Sequence, residues 1–317
     1  MQKLTSGGGG QERKSGQSKL LTLLLVSLRP KQWTKNLLVF LALLFSINES
    51  WRPTAGDVAL TFVGQSVLAF LLFCALSSGI YLVNDLLDLE QDKEHPQKRH
   101  RPLASGELPI IYGGLGAALL LSLSLALGLW WKGAFGLVLL AYAAAMVAYS
   151  LLLKHMVIID VFTLAFGFLL RALGGAVAIG VPVSPWLYVC AILGALFLGF
   201  GKRRHELVLL EGNASQHRGI LAEYSPRLLD EMMGVVTPAT VIAYSLYTFT
   251  APNLPTNNAM MATIPFVLYG IFRYLYLVHS KNQGGSPEDI LLSDLPIMID
   301  VFLWIVVALG ILWLFRG

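Results

Sequence analysis

The chain has 317 residues, of which 56% are hydrophobic types and only 13% charged. Soluble domains carry about twice that charged share, and the charges here sit in short clusters between long apolar runs, which excludes an ordinary soluble enzyme. The formal net charge of +4 comes from Lys and Arg that flank those runs, a membrane-topology pattern that gives no ground for nucleic-acid binding.

The apolar runs are continuous and rich in Leu, Ala and Gly, whereas barrel strands alternate over about ten residues. An all-α, polytopic membrane protein is therefore predicted. Residues 1–19 are Gly-, Ser- and Gln-rich and read as a disordered cytoplasmic tail; residues 20–317 read as one transmembrane domain. A signal peptide is a poor reading, because the next apolar run lacks a small-residue cleavage site and is interrupted by Arg29, Pro30 and Lys31.

About nine transmembrane helices are predicted in chain order. The first covers 31–47 and is entered through an amphipathic stretch at 20–28. The others lie near 57–83, 110–130, 133–152, 157–179, 185–201, 235–251, 261–279 and 296–315. Of the 23 Lys and Arg residues, only Arg52, Lys132 and Arg316 fall in the loops opposite the N-terminal side. Cationic loops stay inside, so the N-terminus and the long loops 84–109 and 202–234 are predicted to be cytoplasmic, in an inner (plasma) membrane. Cys74 and Cys190 both lie in apolar runs and are read as free thiols.

The second span ends in a run of ionisable residues, YLVNDLLDLEQDKEHPQKRHRP from Tyr81 to Pro102. Asp85, Asp88 and Asp92 are spaced by three and then four residues, so on a continuous helix they share one face with Asn84. Close carboxylates repel unless a cation sits among them. Oxygen-only ligands suit magnesium, with manganese as a substitute, and magnesium commonly bridges carboxylates to phosphates. The plainer alternative is a solvated acidic helix end neutralised by Lys93, Lys98 and Arg99. Arg101, beside Pro102, is the preferred cation for the remaining phosphate oxygens.

The NDxxDxxxD run from Asn84 to Asp92, placed after the second span, resembles the signature of the UbiA-like intramembrane prenyltransferase superfamily. The resemblance covers nearly the whole chain beyond the tail and implies a UbiA-like helical bundle. Typical members carry a second acidic motif after the sixth span; here Gly201–Gly212 reads GKRRHELVLLEG, with Glu206 and Glu211 as its only carboxylates. LRPKQWTKN (Leu28–Asn36), the Asn84–Pro102 run and KRRHEL (Lys202–Leu207) are similar to the decaprenyl-phosphate phosphoribosyltransferase branch.

That branch implies transfer from 5-phosphoribosyl 1-diphosphate to a polyprenyl phosphate, for arabinan precursor synthesis in mycobacterial-type cell walls. On this reading Asp85, Asp88 and Asp92 hold the metal and donor diphosphate, and Asn84 orients or completes that shell. Lys202 and Arg203 clamp the 5-phosphate, with Arg204 as helper. Arg29, Lys31 and Lys35 either hold the acceptor phosphate or anchor the topology; Lys31 and Lys35 share a face if an α-helix begins there. Lys154 is a further phosphate ligand, and Asp160 binds a ribose hydroxyl or pairs with Lys154. Arg171 and Arg273 lie within apolar runs and need polar partners, as do Asp294 and Asp300 at the last span. The lipid bilayer is the surrounding partner, and self-association into a homo-oligomer is open. An intramembrane prenyltransferase with a prenyl diphosphate donor is the alternative, and a transporter a more distant one.

Overall fold

The computed structural model describes residues 20–182, 184–209, 219–252, 254–281, 284–285 and 287–316. The expected tail at 1–19 and Glu211 lie outside these residues. Within them the chain is all-helical, and eight helices are long and apolar enough to cross a membrane.

The first expected span is built differently. Residues 30–40 form a 3-10 helix, Pro30–Phe40, followed by a short helix α1 (Leu41–Phe45). At about 2.0 Å per residue in the first part and 1.5 Å in the second, the pair still extends roughly 30 Å. Its geometry is set by its neighbours. Asn36, fully buried, donates to Ser77 Oγ (3.2 Å) and Cys74 Sγ (3.3 Å) and accepts from Arg171 Nε at 2.7 Å.

The remaining helices are α2 (Gly56–Leu87), α3 (Leu89–Glu94), α4 (Ile110–Trp131), α5 (Gly133–Leu151), α6 (Ile159–Ile179), α7 (Pro185–Leu209), α8 (Pro226–Thr250), α9 (Ile264–Ser280), α10 (Pro287–Ser293) and α11 (Leu295–Phe315). From α4 to α9 each successive helix packs on the one before it; α2 packs on α4, α5 and α6, and α11 on α9. Large apolar side chains such as Leu60, Leu119, Ile242 and Phe302 remain exposed on the outer surface. An apolar outer surface on long helices whose backbone groups are satisfied internally is the arrangement of a polytopic membrane protein.

α6 is the central helix. Gly175 lets the 3-10 segment approach until a Cβ there would stand 2.0 Å from the Val39 carbonyl oxygen, and Gly174 faces the Phe73 ring. Arg171, one turn away, donates to Asn36 and to the Tyr142 hydroxyl (2.6 Å) and lies over the Tyr142 and Phe168 rings. These contacts meet the need of a cation inside a bundle for polar partners, and they make Arg171 a structural residue. Arg273 pairs with Asp294 at 2.9 Å, and Asp294 also caps α11 by accepting from the Ile297 amide. The Arg273 guanidinium holds the Asp294 carboxyl below the usual carboxylate range. Asp300 is buried near Gly270 and has no hydrogen-bond or ion-pair partner among the described residues. Cys74 and Cys190 are free thiols.

Two boundaries differ from the sequence reading in a way that matters for the site. α7 continues through Lys202, Arg203 and Arg204 to Leu209, so the basic triplet is helical. α8 begins at Pro226, with Ser225 capping it by accepting from the Leu228 amide at 3.1 Å.

Candidate active site

α2 ends at Leu87, Asp88 links it to α3, and the carboxylates are distributed across that junction. Asp85 (4% exposed) and Asp92 (2% exposed) turn inward together. Arg101 Nη1 lies 3.0 Å from Asp85 Oδ1 and 2.5 Å from Asp92 Oδ2, so one guanidinium nitrogen occupies the point between them. Arg29 also donates to Asp85 Oδ1 and covers the Tyr81 ring, while Lys98 Nζ lies 3.7 Å from Asp92. Burial pulls the Arg29 pKa down, and the Asp85 charge opposes that shift.

Asp88 faces another way. It accepts from Lys154 Nζ at 2.6 Å and from Asn84 Nδ2 at 3.1 Å. Where the sequence reading has three carboxylates and Asn84 around one ion, two carboxylates here share one cation position, and Asp88 with Asn84 forms a second arm toward Lys154. Among the described residues, no group of three or more His, Cys, Asp or Glu is close enough to hold a metal ion in this arrangement. The break at Asp88 (φ −94°, ψ 10°) is the local reason, since the 3–4 spacing aligns side chains only on an unbroken helix.

The donor set nevertheless fits a hard divalent cation. Its ligand atoms are all oxygen, and Asp85 and Asp92 already meet at a positive group. Asp85 and Asp92 would hold such an ion, and Arg101, which now bridges them, would have a phosphate oxygen as its natural alternative acceptor.

The basic triplet divides. Successive residues on an α-helix point about 100° apart, so three in a row cannot clamp one phosphate. Arg203 (2% exposed) points inward, donating to Asp160 Oδ2 at 2.7 Å, Glu206 Oε2 at 2.6 Å and the Tyr149 hydroxyl at 3.3 Å. Arg204 turns toward α8 and donates to Asp230 Oδ1 at 2.5 Å, where His279 Nε2 also lies at 3.1 Å. Lys202, on the same turn, is half-buried. Arg203 and Arg204, expected at the donor 5-phosphate, are thus both ion-paired here, with Glu206 holding Arg203.

Asp160 is fully buried, with Arg203 on one oxygen and the Tyr224 hydroxyl on the other at 2.8 Å. Its partners are thus Arg203 and Tyr224, where the sequence reading has a ribose hydroxyl or Lys154. Lys31 is exposed, and Lys35 Nζ donates to Gln32 Oε1 at 2.6 Å. In a 3-10 helix i and i+3 eclipse, so Lys35 meets Gln32, and the α-helical alignment expected for Lys31 and Lys35 does not form. Tyr224, Asp230 and His279 were not legible as site residues. Each lies far along the chain from its partner, and no spacing pattern marks it.

Over residues 38–288 the chain matches the UbiA prenyltransferase family. It is 35% identical to the decaprenyl-phosphate phosphoribosyltransferase of Mycolicibacterium smegmatis, over 90% of this chain and 91% of that one. It is 34% identical to that of Mycobacterium tuberculosis, over 88% and 90% respectively. Its fold is similar to a UbiA homolog from Archaeoglobus fulgidus bound to DMAPP and Mg2+ (TM-score 0.68, 21% identity, 92% of this chain and 99% of the other). The chain belongs to the UbiA prenyltransferase family.

Proposed function

We propose that this chain is a membrane enzyme that transfers 5-phosphoribosyl from 5-phosphoribosyl 1-diphosphate to a polyprenyl phosphate, releasing diphosphate. The observation that carries this reading is the similarity to decaprenyl-phosphate phosphoribosyltransferases along about nine-tenths of both chains. The site's charge supports it: Arg29, Lys98, Arg101 and Lys154 surround Asp85, Asp88 and Asp92. A donor with a diphosphate and a distal phosphate, and an anionic acceptor, suit such a cationic mouth. Decaprenyl phosphate as acceptor, arabinan precursor synthesis and a cytoplasmic site mouth belong to the same proposal.

In the reaction, an acceptor phosphate oxygen attacks C1 of the donor. The C1–O bond to diphosphate breaks, and its electron pair leaves with the diphosphate. The acceptor oxygen is already anionic, so no general base is required. Magnesium, when bound, would neutralise the leaving diphosphate; Asp85 and Asp92 would hold it, with Asp88 on the adjoining arm. Arg101 and Lys98, displaced from the carboxylates, would hydrogen-bond the departing oxygens. Lys154 would stand at the donor with Asn84 fixing Asp88 beside it. Lys202 remains the candidate for the 5-phosphate, and Arg29 for the acceptor phosphate.

Membranes or detergent-purified protein supplied with labelled phosphoribosyl diphosphate and polyprenyl phosphate should yield a magnesium-dependent, lipid-soluble labelled product. Label transferred only from a prenyl diphosphate donor would overturn the assignment. Lys154→Met should raise the donor KM by about tenfold or more, the equivalent of one charge-assisted hydrogen bond, as measured by initial rates at fixed acceptor.

A further inference from the structure

Between the Lys154 turn and α6 the backbone makes an unusual move. Ile158 has φ 70° and ψ −47°, and the Ile159 amide donates to the Val157 carbonyl at 2.8 Å. This is a γ-turn of the positive-φ form, rare and strained, and here it is centred on a β-branched residue. Such a conformation persists only where surrounding contacts over-determine it.

The contact that does so comes from distant chain. Tyr224 follows the short 3-10 turn Gly219–Glu223 and is 5% exposed. Its hydroxyl oxygen accepts the Ile158 amide at 2.6 Å, and its proton goes to Asp160 Oδ1 at 2.8 Å. Burial pushes the phenol well above its ordinary range, so the donor proton is retained at neutral pH. Without this hydroxyl the Ile158 amide would lose its partner and Asp160 would keep only Arg203. The clasped turn is linked to a cation at each end. Lys154, on the 3-10 turn Leu153–His155 just before it, reaches Asp88; Asp160, just after it, orients Arg203 beside Lys202.

We propose that Tyr224 is a positioning residue for the donor site: by fastening the strained turn at Ile158 it holds Lys154 and the Asp160–Arg203 pair in register across the mouth of the bundle. This rests on the phosphoribosyl-transfer reading above. Tyr224 touches no reacting atom; it acts by keeping the donor's cations pre-arranged, so its removal weakens donor binding rather than the chemical step.

The test is Tyr224→Phe, which keeps the buried ring and removes one oxygen. The donor KM should rise about fivefold or more with kcat within about twofold, the pattern of lost ground-state positioning. The melting temperature should fall by no more than a few degrees, and amide hydrogen exchange over 156–160 should accelerate. A donor KM within about twofold of wild type would overturn the positioning role. A second measurement needs no variant: in the wild-type protein the Ile158 amide should be protected from exchange, and free exchange there would remove the clasp. The unsubstituted control separates the two ideas. Absence of phosphoribosyl transfer by wild type counts against the functional reading, whereas normal wild-type transfer with an unchanged Tyr224→Phe donor KM counts against the clasp.

Discussion

Asp85→Asn is expected to lose phosphoribosyl transfer by about a hundredfold or more while remaining folded. Asp85 is the carboxylate on which most of the site's charge converges: Arg29 and Arg101 both donate to its Oδ1, and it shares Arg101 with Asp92. The amide has nearly the same shape, so packing around α2 is preserved. It carries no charge, however, and its NH2 group would face guanidinium donors. Two arginines would then have one fewer anion to balance them, and a divalent ion would lose one of its two inward-facing ligands. Initial rates at saturating donor, read against a magnesium titration, check this. Wild-type turnover at ordinary magnesium would remove Asp85 from the reaction. A loss recovered fully by excess magnesium would restrict its role to holding the ion.

Gly175→Ala is expected to have the largest effect on folding. Its Cβ would stand 2.0 Å from the Val39 carbonyl oxygen and 2.8 Å from the carbonyl carbon. These are backbone atoms, so no side-chain rotation relieves the clash. The 3-10 segment would have to lift from α6, opening the Asn36–Arg171 hydrogen bond and leaving a buried cation short of a partner. Overpacking and an under-satisfied buried charge together point to a loss of about 3 kcal/mol or more. The expected result is little monodisperse protein in detergent, or a strongly lowered melting temperature. Gly64→Ala is the matched control. Gly64 also lies in a helix, but nothing stands within 4 Å of its Cβ position, so alanine there should be neutral or slightly stabilising. Equal behaviour of the two variants would contradict the close packing of the 3-10 segment on α6.

Much was legible along the chain because a bilayer imposes a one-dimensional constraint. Each crossing needs a long apolar run whose backbone groups are satisfied within itself. Hydrophobicity and length alone therefore located the eight long spans, each containing or overlapping its expected range. The same constraint marks Asp85, Asp88 and Asp92 as unusual, because carboxylates at the end of an apolar run need a compensating cation. The segment 30–45 departs from a regular α-helix because its 3-10 geometry depends on Asn36, Arg171 and Gly175, which meet only in the folded bundle.

Which cation each carboxylate holds was decided by tertiary structure alone. Contiguous spelling suggested that Lys202, Arg203 and Arg204 act as one clamp, yet the helical continuation of α7 sends Arg203 to Asp160 and Arg204 to Asp230. Local spacing suggested three converging aspartates, yet the break at Asp88 directs one of them to Lys154, 66 residues away. Spacing reports direction only within an unbroken element. Sequence by itself therefore determined that this is a multi-span membrane protein with an acidic site at one end of its bundle. Packing determined the pairing of that site's charges, because an ion pair over a few ångströms is set by where helices cross, and helix crossing is written in no single stretch of the chain.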